Sequence, residues 1–103
     1  MNAYRGEVAI VIDGRSRTMR LTLGALAGLE ARLQAGSLVG LAERFEDGKV
    51  STADLIALLA AGLSGGGEPV DEAELAHAEI EGGAVGAMRA GMALLARTFR
   101  QDG

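Results

Sequence analysis

The stretch Asp47-Gly48-Lys49-Val50-Ser51-Thr52-Ala53-Asp54 comes nearest in this chain to residues spaced for chemistry. An acid, a glycine, an aliphatic residue and a closing carboxylate, in that order, form the second half of an EF-hand calcium loop. Calcium also needs oxygen donors at the first, third and fifth loop positions. Counting back from Asp54 puts Glu43 first, Phe45 third and Asp47 fifth. A phenylalanine ring cannot ligate calcium, and Asp54 reaches less far than the glutamate that usually closes the loop. The competing reading is a junction between helices. Gly48 ends one helix, Ser51 caps the next, Asp54 completes a short-armed capping box, and Val50 and Leu55 act as a hydrophobic staple. No metal ligands are expected, and an EF-hand-like calcium module is kept as a remote alternative.

Other chemistry is thinner. His77, the one histidine, lies among Glu74, Glu79 and Glu81, which reads as a solvated helix face rather than a metal site. One isolated base cannot anchor a nucleophilic triad. The glycines of EGGAVGAMRAG hint at a phosphate-binding turn, but a helix precedes them and no lysine follows, so the dinucleotide and P-loop readings fail on context. Gly82 and Gly83 are expected to turn the chain, and Gly86 and Gly91 to allow close helix packing. No catalytic residue and no cofactor are expected. With no cysteine, thiolate metal sites and disulfides are excluded.

Around these residues the pattern predicts an α+β domain over residues 1–103. Val8, Ile10 and Ile12 alternate, Asp13-Gly14 interrupts, and alternation resumes from Thr18 to Leu23, predicting a hairpin over about 5–23. A two- or four-residue loop places Val8, Ile10 and Ile12 on one face with Met19, Leu21 and Leu23. A lone hairpin is marginal in water, so helices must cover that face. Leu26, Leu29 and Leu33 predict a helix over about 24–35, opened by Thr22 and stopped by Gly36. Ser37 caps a second over 37–47 carrying Leu38, Leu41, Ala42 and Phe45. A third covers 51–63 with Leu55, Ile56, Leu58, Leu59 and Leu63. A flexible glycine-rich linker spans 64–69. A fourth helix spans 71–81, behind a second staple and capping box at Val70, Asp71, Glu74 and Leu75. The fifth spans 83–99. Its apolar stripe, Val85, Met88, Met92, Leu95 and Phe99, reads first as core packing on the hairpin and second as a partner interface, since methionine adapts to varied surfaces.

The chain has 49% hydrophobic but only 3% aromatic residues, so its core must be built from leucine, alanine, valine and methionine. A net charge of −4 argues against nucleic acid, whose binding needs clustered cations. Arg15, Arg17 and Arg20 do cluster, and are read as a solvated edge. No apolar run reaches the roughly 18 residues of a membrane span. No signal peptide and an intracellular location are expected.

The pieces RGEVAIVIDGRSRTMRLTLGALAGLE, LAERFEDGKVSTADLIALLAAGL with its glycine-rich follower, and EGGAVGAMRAGMALLARTF come in an order and spacing that resemble a family from phage-derived gene transfer agents. This is the small tail protein encoded before the tape measure. The family is labelled a tail tube protein and also read as a tail assembly chaperone. Tube subunits of long-tailed phages are β-rich, whereas one hairpin and about five helices are expected here, which favours the chaperone. In that role the resemblance implies a non-enzymatic protein that coats the tape measure protein and recruits tail tube subunits in the cytoplasm of the producing cell. The alternative is a structural tail component retained in the particle. Homo-oligomerisation is left open. The residues singled out for a partner are those of the stripe, Val85, Met88, Met92, Leu95 and Phe99.

Overall fold

A computed structural model describes residues 6–99 of the chain. Their order is β1 (Val8–Ile12), β2 (Arg15–Met19), α1 (Leu23–Glu30), α2 (Leu38–Glu46), α3 (Thr52–Gly65), α4 (Glu72–Ala76) and α5 (Gly83–Phe99). The architecture is α+β, a two-stranded antiparallel hairpin followed by helices. Arg5, within the expected hairpin span, lies outside the described residues.

The hairpin closes with a two-residue loop. Ile12 pairs with Arg15 and Val8 with Met19. Asp13 (φ 52°) and Gly14 (φ 82°) both take the left-handed conformation that such a loop demands, and Asp-Gly tolerates it. Ile10, Ile12 and Met19 are buried, as the alternation predicts. Leu21 is still half-buried against the core, but Leu23 leaves the pattern, because the Arg20 amide donates to the Gly62 carbonyl of α3 (2.8 Å) and ends the strand. Thr22 then opens α1, accepting from the Ala25 amide (3.1 Å), and Leu23 points into solvent at 85% exposure.

α3 is the central helix, touching α1, β2, α4 and α5. It buries Leu55, Ala57, Leu58, Leu59 and Leu63. A leucine moved fully out of water contributes roughly 1.5–3 kcal/mol, so this one helix anchors much of the core. Its last turn runs beyond the expected end at 63, into the segment read as a flexible linker. There Gly65 and Gly66 lie against the Arg20 and Thr18 carbonyls so closely that a Cβ on either would collide with them. The Glu68 carboxylate accepts from the Thr18 amide (3.0 Å). The linker is thus docked along the outer edge of β2.

Two helices are shorter than the periodicity predicts. α1 ends at Glu30 rather than near 35. Beyond it, the amides of Gln34 and Ala35 donate to the two carboxylate oxygens of Asp54 (2.8 and 3.1 Å), which replaces the helical hydrogen bonds they would otherwise make. Leu33 is still buried. α4 stops at Ala76 rather than 81, and Asp71 makes no side-chain cap bond. Past it, Ile80 forms a β-bridge with Ile12. Three bonds hold this addition: Asp13 amide to Glu79 carbonyl (2.8 Å), Glu81 amide to Val11 carbonyl (3.0 Å), and Glu79 amide to the Asp13 carboxylate (2.8 Å). Residues 79–81 therefore cover part of the free edge of β1.

Candidate functional site

The helix junction that imitates a calcium loop resolves into capping and bridging. Asp47 is the C-cap of α2, Gly48 follows with φ 68°, and Ser51 caps α3 by accepting from the Asp54 amide (3.1 Å). Asp54 does not turn back on Ser51 as a capping box requires. Its carboxylate, on a residue only 3% exposed, points across to Gln34 and Ala35 instead. With each oxygen accepting a backbone amide, this carboxylate braces the chain after α1. Among the described residues, no three acidic or histidine side chains converge as metal ligands.

The arginine cluster divides. Arg15 and Arg20 are exposed, but Arg17 is half-buried, with its Nε buried and lacking a hydrogen-bond partner. The register explains this. Arg17 pairs with Ile10 and so lies on the covered face of the hairpin, whereas Arg15, paired with Ile12 on the same face, stands next to the loop and stays exposed. The solvated-edge reading is corrected for this one residue.

The five residues of the α5 stripe part company in the same way. The face that α5 buries runs through Ala87, Gly91, Leu94 and Leu95. Gly91 is there because Phe45, Leu55 and Leu58 crowd it. A Cβ would sit 3.0, 3.1 and 3.2 Å from their side-chain carbons. Gly86 packs against the Glu81 carbonyl at the start of the helix rather than against another helix. Leu95 belongs to the core, and Met88 is half-buried against it. Val85, Met92 and Phe99 stand at seven-residue intervals and are 64%, 49% and 50% exposed.

Two apolar grooves result. The larger, about 780 Å³, lies between α3, residues 78–83 and the first turns of α5. Val50, Ile56, Ala78, Ile80 and Met88 line it, with Glu79 and Glu81 at its margin. The smaller, about 280 Å³, lies between α2 and α5, formed by Ala42, Phe45, Glu46, Met92, Leu95, Ala96 and Phe99. The α2 side of this second groove is the part that the sequence pattern does not reveal. Val39, Ala42 and Glu46 stand at i, i+3 and i+7 and mark a second helical face beside the buried Leu41 and Phe45.

Ser51 and Thr52 also line the larger groove, with the Ser51 hydroxyl taken up in capping α3. Both grooves are apolar concavities of the sort that helices and other protein surfaces occupy. Comparison with known families bears on which proteins those are. Residues 5–101 match the family described as phage tail tube protein, GTA-gp10. The chain belongs to that family. No curated protein and no solved structure matches it. For this GTA-gp10 family member the partners to look for are other proteins of a tail. Among its described residues no helix is long and apolar enough to cross a membrane.

Proposed function

We propose that this protein is a non-enzymatic structural component of a phage-like tail, retained in the particle and joined to neighbouring tail proteins through its helices. The family match over residues 5–101 carries this reading. The way the hairpin is used supports the helical mode of contact. β1 is bridged by Ile80, and β2 is engaged by Glu68 and by the end of α3. Adding a neighbour's strand along those stretches would break these bonds. Mass spectrometry of purified particles tests the proposal. The protein should be present in fixed stoichiometry with the other tail proteins, and its absence from mature particles would refute retention.

A second reading, tail assembly chaperone, is favoured by one observation. The described sheet has only two strands, too few for the β-rich ring of a tail tube subunit. In that role the protein would hold the tape measure protein until tail tube subunits displace it, with weak contacts repeated along the tape measure supplying avidity. An amphipathic helix laid in the larger groove is the economical contact. Co-expression separates the two readings. A chaperone keeps the tape measure protein soluble and co-purifies with it, yet is missing from finished particles.

A further inference from the structure

Five large apolar side chains are strongly exposed among the described residues, namely Leu23, Val39, Val85, Met92 and Phe99. Of these, Met92 and Phe99 line the smaller groove, and Val85 and Val39 continue the exposed faces of α5 and α2 from which that groove is built. Val85, Met92 and Phe99 form a straight seam along α5, because residues seven apart fall within about 20° of each other on a helix. Val39 shares its face of α2 with Ala42 and Glu46, which line the smaller groove beside Met92 and Phe99. The face is also polarised. On the α2 side its lip carries Glu46, which lines the groove and is exposed. On the α5 side the outer lip carries exposed Arg89, seven residues before Ala96 and hence on the same helical face.

From this arrangement we infer that the α2–α5 face is a self-association surface whose occupant is a second copy of this chain. An acidic lip and a basic lip flanking one apolar groove are complementary to each other under a two-fold axis running along the groove. That operation places α2 of one copy opposite α5 of the other. Glu46 then faces the partner copy's basic lip, and the exposed apolar residues of both copies close over the two grooves. The other in-plane axis, across the groove, would set acidic lip against acidic lip, and like charges in register are disfavoured. An isologous contact of this kind closes on itself as a dimer. The inference stands on the face alone and does not depend on the tail reading.

The test is sedimentation of the full chain at about 0.1 mM, where even a micromolar contact is populated. A dimer in concentration-dependent equilibrium is expected. Met92→Glu should weaken it by about tenfold or more, because the new carboxylates enter an apolar contact. Met92 is 49% exposed, so the variant monomer should keep the far-UV circular dichroism and thermal melt of the parent. Glu46→Arg and Arg89→Glu should each weaken the dimer, and the double variant should recover much of the loss, since the swap restores opposite charge across the two-fold. A chain that stays monomeric at this concentration, a dimer indifferent to Met92→Glu, or a double variant no better than the worse single one overturns the proposal.

Discussion

Lengthening Asp54 to glutamate should destabilise this protein, although the local sequence favours glutamate at that position. Ser51 caps α3 and Asp54 stands three residues on, so a reciprocal capping box would be improved by the longer acid. The Asp54 carboxylate has a different task. It accepts the Gln34 amide at 2.8 Å and the Ala35 amide at 3.1 Å and thereby ties the chain after α1 to the first turn of α3. Hydrogen bonds to a charged group contribute about 1.5–3 kcal/mol each. Gln34 is exposed and Ala35 half-buried, so water can recover part of that when the acceptor is removed. Asp54→Ala should therefore cost about 3 kcal/mol, near the low end for two such bonds. For a domain of this size that is roughly 12–20 °C in melting temperature. Asp54→Asn keeps one acceptor but turns an NH2 group toward the other amide, and should cost about 2 kcal/mol. Asp54→Glu has no room to draw back from a site 3% exposed and should also lose about 1–2 kcal/mol. Urea titration followed by far-UV circular dichroism gives all three values. Ser51→Ala supplies the comparison, costing about 1 kcal/mol for its own cap bond. If Asp54→Glu stabilises the protein, or Asp54→Ala costs no more than an ordinary surface substitution, the bridge has been misjudged and the carboxylate acts on its own helix.

Calcium at millimolar concentration should leave the melting temperature unchanged, because Asp54 is already engaged; an upward shift together with a calorimetric binding isotherm would reverse this. Gly28→Ala, on α1 with nothing within 4 Å of the new methyl, should stabilise by up to about 1 kcal/mol in thermal unfolding. Gly65→Ala, also helical, should instead destabilise by about 2 kcal/mol or more in the same assay, since its Cβ meets the Arg20 carbonyl and the backbone must shift. Leu58→Ala, at a fully buried position facing α5, should cost about 2–5 kcal/mol by urea unfolding, and a smaller value would mean that α3 is not the centre of the core.

Features encoded within a few residues of each other are legible in the amino-acid sequence. Thr22, Ser37 and Ser51 cap helices as their types suggest. The α5 bounds coincide with those expected. Features fixed by distant partners are not legible there. Nothing near Asp54 announces that its carboxylate serves amides about twenty residues upstream. Nothing near Ile80 announces a bridge to Ile12, and the acidic, alanine-rich run from 72 to 81 has every local reason to continue as helix. The α5 stripe misleads for a subtler cause. Two of the positions that face the core are Ala87 and Gly91, small residues that a hydrophobic pattern passes over. The visible stripe of large side chains is therefore rotated from the true core face, which explains why one of its members is in the core and three are in solvent. The α2 half of the groove is masked because Leu41 and Phe45 already give that helix a buried face.

The bridge between residues 79–81 and β1 also bears on how the chain is made. The sequence VAIVI of β1 is short, apolar and β-branched, the composition that pairs readily with copies of itself when an edge is bare. Its cover arrives 66 residues later in the chain. During synthesis the hairpin must therefore wait, unprotected on that side, until most of the protein has emerged. Crowding of nascent chains would penalise this protein more than its folded stability suggests. Substitutions that loosen the Ile12–Ile80 bridge should show themselves first as lower soluble yield, and only afterwards as a lower melting temperature.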